Sequence, residues 1–372
     1  MSGVQGGKQA SGRESLVQQH AVLQKRKRTR PAAFWNSGWS KVSALANPDA
    51  LPSGGQDKEE EIQELDEILK FNQIALSDID SSEAQVRVNS DSQRSGLWLL
   101  ASFINHSCCP NVQRVILHDR MVVRAAQDLQ AGEELVDSYV QVLQPVHRRR
   151  SELERSYRFR CNCDRCVLES ELLDGQKVQA LLERAAGMAG RPSADGVAEW
   201  HLVEAAETLV AAALSGAGAT AWAADDKSPA QELLLASFSP LFRTLAPALQ
   251  SGFAASSARL HVALRVWQRF HDVVAAVLPG SEVLCAVSSS LFCTALLLRQ
   301  NPGACRQELA IALWACHQAY GGGVKVWQIW HRKLFPPAAL RAAEVVWHEE
   351  LARHPPASAT PPLPGIDLHA MD

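Results

Sequence analysis

Phe103-Ile104-Asn105-His106-Ser107-Cys108-Cys109-Pro110-Asn111 and, further along, Cys161-Asn162-Cys163-Asp164-Arg165-Cys166 are the stretches that decide the reading of this chain. The second is a C-x-C-x-x-C loop, which offers three thiolates from one short piece of backbone. A closed structural zinc site takes four ligands in a tetrahedron, with sulfur at about 2.3 Å. The fourth ligand falls to Cys108 or Cys109, because every other cysteine lies in the Ala- and Leu-rich region that follows. Adjacent residues point in different directions, so only one of the two binds. Such a site ties one segment onto the body of another, and its metal-binding free energy becomes folding free energy. Cys285, Cys293, Cys305 and Cys316, each isolated in a mostly apolar stretch, fit ordinary buried thiols.

At 372 residues the chain is long enough for two domains and a sizeable core. Its 47% hydrophobic and 21% charged residues are those of a globular protein, and a net charge of -3 gives no whole-chain case for nucleic-acid binding. The basic run Lys25-Arg26-Lys27-Arg28 with Arg30 reads as a nuclear-localisation patch or as a solvated stretch, and it lacks interleaved aromatics. No run of eighteen apolar residues occurs, so no membrane-spanning helix is expected. Residues 1–30 lack the apolar core of a secretory signal. Nine cysteines, an odd number in a chain of this size, do not make a disulfide framework. They fit a reducing compartment, nucleus or cytoplasm.

Residues 1–58 are rich in Gly, Ser, Gln, Ala and Pro without sustained period and read as disordered. Glu59-Glu60-Glu61 opens a helix to Leu69. Residues 71–166 turn to short strands and loops: Phe71–Leu76, Val112–Leu117, Met121–Ala125 and Leu135–Tyr139, with 77–94 a polar loop. The run Leu97-Trp98-Leu99-Leu100 is expected to be buried. Arg148 to Ser156 reads as a short helix leading into the cysteine loop. Beyond Cys166, Ala- and Leu-rich runs predict helices over 177–188, 197–213, 229–249, 257–277, 282–299, 303–320 and 337–354. Short Gly/Pro connections favour antiparallel hairpins, as in a bundle or a helical-repeat array.

With these motifs on the page, residues 72–166 resemble the SET-domain protein-lysine methyltransferases, in the SET-and-MYND-like or tetratricopeptide-bearing SET branch. Asn105-His106-Ser107-Cys108, Gly132-Glu133-Glu134 through Tyr139, and Phe159 with the three cysteines occur in family order. The resemblance implies an α+β fold: a partial SET-type β core with a zinc-bound post-SET tail, then an all-α helical C-terminal domain of tetratricopeptide-like or bundle type. It divides the chain into 1–58, a partial SET domain over 59–168, a helical domain over 169–354 and a loose tail over 355–372. It selects Cys108 as the zinc ligand beside Cys161, Cys163 and Cys166. It implies S-adenosyl-L-methionine (SAM) as cofactor, met by Asn72, Asn105, His106 and Phe159, with Tyr139 and Tyr157 at the methyl-transfer site. The Gly-x-Gly strand pair that opens the family's domain is not found, since Gly6-Gly7 and Gly54-Gly55 sit in polar surroundings. No cysteine precedes Cys108, so there is no MYND finger in this sequence.

The chemistry asks for these residue types. Methyl transfer from a sulfonium to an amine is an in-line displacement, so positioning is the main requirement. A lysine, with an ordinary pKa of about 10.4, must first lose its proton, and an apolar aromatic channel favours the neutral amine. Each residue alone has a blander use: Asn105 as a helix cap, Tyr139 as a strand aromatic, Phe159 as core packing. Two functions follow. One is a SAM-dependent protein-lysine N-methyltransferase acting on a histone or another protein. The other is a non-catalytic zinc-stabilised interaction protein whose helical domain binds a protein partner. Neither needs a membrane or a direct nucleic-acid contact.

Overall fold

The computed structural model describes residues 73–75, 95–98, 100–117, 120–216, 227–251 and 256–353. The basic run 25–30, the helix expected over 59–69, Asn72, the polar loop 77–94 and the tail from 355 lie outside the described residues. The described chain falls into two compact units, one holding Gln73–Ala75 and Ser95–Phe103, the other running from Ile104 through the last helix. In the first, strands β1 (Gln73–Ala75) and β2 (Ser95–Leu97) pair antiparallel, with Gln73 opposite Leu97. A 3₁₀ turn, Ala101–Phe103, follows. Leu100 stands at the bend before that turn and is 57% exposed, which corrects the expectation that the whole run 97–100 is buried.

The second unit begins with two small sheets. Strands β4 (Val112–Leu117) and β5 (Arg120–Ala125) form an antiparallel hairpin with Val112 opposite Ala125. Strand β3 (Asn105–His106) runs parallel to β6 (Val136–Asp137), so the Asn105-His106 dipeptide lies beside the approach to Tyr139. The strand expected over 135–139 keeps only those two residues because its partner is only two residues long. Gly132, at φ 89°, makes the turn into it, a backbone angle that a residue with Cβ rarely adopts.

Helix α1 (Val146–Tyr157) ends on Arg158 in the left-handed conformation, its N–H donating to Glu154 O at 3.2 Å. That reversal delivers Phe159 and the cysteine loop. Helix α2 (Asp164–Leu172) has Cys163 at its cap position, and nine more follow among the described residues with 3₁₀ turns between some of them: α3 (Gly175–Met188), α4 (Val197–Gly216), α5 (Lys227–Leu235), α6 (Ser239–Gln250), α7 (Ser257–Val277), α8 (Glu282–Arg299), α9 (Arg306–Tyr320) and α10 (Gly323–His331). The last is α11 (Pro337–Arg353).

The fold is thus α+β, mostly helical, with a small sheet core ahead of the helical C-terminal part, as the residue pattern predicts. Helix α7 shows why its bounds are legible. Ala263, Val266, Trp267, Phe270, Val273, Val274 and Val277 repeat at helical spacing and are buried, and the Ser256 hydroxyl caps its start by accepting from Arg259 N at 3.2 Å. Ser281 caps α8 in the same way through Leu284 N at 3.1 Å.

Three departures have local causes. The helix expected over 229–249 is broken by the 3₁₀ turn Ala236–Phe238, because Pro240 in the first turn of α6 has no N–H to continue a helix from behind. Helix α10 follows Gly321 and Gly322 and opens on Gly323, all three at positive φ, in a stretch that reads as a gap. A Cβ on Gly323 would come within 3.1 Å of Trp347 Nε1. Helix α8 is long and apolar enough to span a membrane by length and composition, although it contains no uninterrupted apolar run of that length. Half of it is buried, and it packs against α7 and α9, as a core helix does.

Candidate functional site

The cysteine loop closes onto Cys108. The Sγ atoms of Cys108, Cys161, Cys163 and Cys166 all lie within 4.8 Å of one another, with Cys108–Cys166 at 3.5 Å and Cys108–Cys161 at 4.0 Å. A tetrahedron with sulfur at about 2.3 Å from zinc has sulfurs about 3.8 Å apart, so the four fit the ion. Cys109 is not among them. Its N–H donates to Ser107 Oγ at 3.1 Å, and burial pushes its thiol up to about 11. Contact with the neighbouring thiols raises the Cys108 pKa far above the ordinary range, while Cys163 falls below it and Cys166 is held at about 7. Four sulfurs this close cannot all be anionic without a cation among them. Cys163 also caps the start of α2 and Cys166 sits in its first turn, where the helix dipole favours thiolate.

Helix α1 clamps this loop. Arg150 donates to Cys161 O at 3.0 Å, to Cys166 O at 3.2 Å and to Ser170 Oγ at 2.7 Å. Arg149 is fully buried and donates to Cys108 Sγ at 3.2 Å and Cys166 Sγ at 3.4 Å. Sequence reasoning missed it, because an Arg-Arg-Arg run ahead of a polar helix reads as solvated charge.

His106 joins the cysteines to the second cluster. Its Nδ1 accepts from Tyr139 N–H at 3.0 Å, and Nε2 lies 3.4 Å from Cys108 Sγ. Because Tyr139 N–H can only donate, Nδ1 is the bare nitrogen, and Nε2–H is left to donate to the sulfur. Burial pushes the imidazole down to about 4, which keeps it neutral and consistent with that tautomer.

Around it stand the aromatic rings the sequence singled out. His106 lies 5.4 Å from Tyr139 and 6.0 Å from Phe159, and Tyr139 lies 5.0 Å from Tyr157 and 6.4 Å from Phe159 between ring centroids. Tyr139 Oη donates to Ile104 O at 2.5 Å, and Tyr157 Oη reaches Tyr139 O at 3.4 Å. Asn105 Nδ2 donates to Glu134 Oε1 at 2.6 Å. The chain therefore brings Asn105, His106, Tyr139, Tyr157 and Phe159 to one place, beside the four cysteines. Asn72 is outside the described residues.

Asn111 holds that place in register. Its Nδ2 donates to Glu133 Oε1 at 3.0 Å and Glu134 O at 2.8 Å, while Oδ1 accepts from Val136 N at 2.8 Å. The side chain so extends the two-residue ladder of β3 and β6 and fixes the Gly132 turn. It is 5% exposed, so Asn111→Ala leaves buried groups unpaired and should cost about 1–3 kcal/mol. A lowered urea midpoint with unchanged slope is the expected reading; a midpoint equal to wild type contradicts the assignment. Beside it, Arg114 pairs with Asp137 and donates to Ser138 O at 3.2 Å, and burial raises the Asp137 pKa against that pairing.

Residues 19–140 match the SET domain, a span that starts inside the segment 1–58 and ahead of residue 59, where the sequence reading placed the domain's start. The chain carries a SET domain. The relatives it matches include SET5 and SET-and-MYND proteins. It is 39% identical over 84 residues to the histone-lysine N-methyltransferase SET5 of Vanderwaltozyma polyspora, covering 22% of this chain and 17% of that protein. It is 33% identical over 87 residues to the N-lysine methyltransferase SMYD2 of Gallus gallus, 23% of this chain and 20% of that one. The histone-lysine N-methyltransferase SMYD3 of Mus musculus is 37% identical over 79 residues, 21% and 18%. The chain spans about a fifth of the length of these curated relatives.

Proposed function

We propose that this chain is a SAM-dependent protein-lysine N-methyltransferase with a structural zinc centre, acting on a histone or another protein in the nucleus or cytoplasm. One observation carries the reading: the Asn105-His106 pair, Tyr139, Tyr157 and Phe159, distant in sequence, converge beside the four cysteines. SAM supplies a methyl group on a sulfonium, and the chemistry left to the protein is orientation. Asn105 and His106 would meet the cofactor along β3. Since both nitrogens of His106 are engaged within the protein, its backbone and ring face are what it can offer. Phe159 would stack on the adenine, and by resemblance alone Asn72, outside the described residues, would be a further contact. The Tyr139 and Tyr157 rings would wall a channel that strips water from the lysine and favours its neutral form. No Gly-x-Gly occurs ahead of Asn105 in this sequence, so weakened cofactor binding is expected.

The test is transfer of labelled methyl from SAM to lysines of core histones and of a mixed protein substrate, with residues located by mass spectrometry. Labelled lysine supports the reading. No label from zinc-loaded, folded protein contradicts it and favours the second reading, a non-catalytic interaction protein. A groove of about 620 Å³ between α7, α8, α9 and α11, lined by Ile311, Trp314, Arg306 and Arg353 among others, is the feature that supports that alternative.

A further inference from the structure

Arg149, Arg165 and Glu169 are 0%, 1% and 0% exposed, and no solvent is available to any of them. Glu169 accepts from Arg149 Nη1 at 3.0 Å, from Arg165 Nε at 2.6 Å and from Ser237 Oγ at 2.7 Å. The carboxylate is fully satisfied, but two guanidinium cations share it. One positive charge is therefore left over in the interior. An unbalanced buried charge costs several kcal/mol, far more than a protein tolerates without a counter-charge.

The remaining donors of Arg149 identify the counter-charge. Nε points at Cys108 Sγ (3.2 Å) and Nη2 at Cys166 Sγ (3.4 Å), with a further bond from Nη1 to Gln144 O. Arg165 Nη1 donates to Cys108 O at 3.1 Å, and its Nη2 finds no acceptor among the described residues. Neutral thiols would be poor acceptors and would not balance the surplus. A zinc ion with four thiolates carries a formal charge of 2 − 4 = −2, since all four cysteines ligate. The shell of two arginines and one glutamate carries +2 − 1 = +1 and sits against it.

We propose that Arg149 is the positioning residue of the zinc centre, aided by Arg165. Its planar fork neutralises the tetrathiolate and donates to two of its sulfurs. Glu169 sets the orientation of both arginines and anchors the assembly to Ser237 on the 3₁₀ turn ahead of α6. The proposal rests on zinc being the metal of the cysteine cluster.

The test uses the full chain and zinc itself. Zinc affinity is measured by competition with a chromogenic chelator for wild type, Arg149→Met, Arg149→Lys and Arg165→Met. Losing an outer-shell partner of this kind weakens metal binding about 10- to 100-fold, and that loss is expected for Arg149→Met. Arg149→Lys keeps the charge without the fork and should fall between. Arg165→Met, which removes a cation but no sulfur contact, should weaken binding less than Arg149→Met. The cobalt-substituted proteins give a readout that packing alone would not move. With two N–H···S bonds gone, the sulfur lone pairs rise in energy and the thiolate-to-cobalt charge-transfer bands of Arg149→Met move to lower energy.

If Arg149→Met does not fold, Arg149→Lys carries both measurements. Wild-type affinity and an unshifted cobalt spectrum in the variant overturn the role of Arg149 while leaving the zinc reading intact. A wild-type chain that binds neither metal at the four cysteines overturns the zinc reading itself, and this proposal with it.

Discussion

Cys166→Ser is expected to lose stoichiometric zinc and with it the cooperative unfolding transition of the unit that begins at Ile104. The sulfur is fully buried, lies 3.5 Å from Cys108 Sγ and sits in the first turn of α2. Structural zinc contributes on the order of 10–16 kcal/mol of apparent binding free energy in small zinc domains, which matches or exceeds the whole net stability of an ordinary domain. Removing one thiolate forfeits much of that and leaves Arg149 with a lost acceptor. Cys293→Ser is the control, because that thiol lies half-buried in α8, away from the cluster. Metal analysis together with calorimetric unfolding checks both. Retained zinc and an unchanged transition in Cys166→Ser would sink the zinc assignment.

Tyr139→Phe should lower the methyl-transfer rate by about 100-fold in a preparation that turns over, since misplacement of a reacting group by about 1 Å carries losses of that order. The hydroxyl also holds Ile104 O at 2.5 Å, so a fall in rate alone would not separate chemistry from structure. The separating measurement is the cofactor dissociation constant, which is expected to stay near the wild-type value while turnover drops. Tyr157→Phe should do less, its hydroxyl reaching a carbonyl only at 3.4 Å. Full turnover in Tyr139→Phe removes that residue from the reacting centre.

What could be read from the residues follows from how local the signal is. The C-x-C-x-x-C loop is legible because its ligands are close in sequence and few metals take such a set. Helices α7 and α8 have the expected bounds because Ser256 and Ser281 cap them and their apolar spacing is sustained. Helix α10 was hidden behind three glycines that make a tight reversal against Trp347 instead of a linker. Leu100 was expected inside because hydrophobicity alone says nothing about the bend that turns it out.

The site shows the same division. Its motif residues carry a recognisable order along the chain, but Arg149 and Glu169 have no such mark. Arg149 lies in a run of three arginines whose neighbour Arg148 meets Gln179 at the surface, and nothing in the sequence says which of the three turns inward. Glu169 becomes notable only once Arg149, Arg165 and Ser237, far apart in the chain, are seen to converge on its carboxylate. Asn111 belongs to the quoted motif, yet its part in completing the β3–β6 ladder depends on a pairing between residues far apart in the chain.

The proposed methyl transfer requires that the chain bind SAM. Titration of SAM into purified, zinc-replete protein by isothermal calorimetry tests it directly. One-site binding in the micromolar to sub-millimolar range, roughly the span of ordinary enzyme substrates, is the predicted result. No heat of binding from a chain that is folded and zinc-loaded would contradict the account.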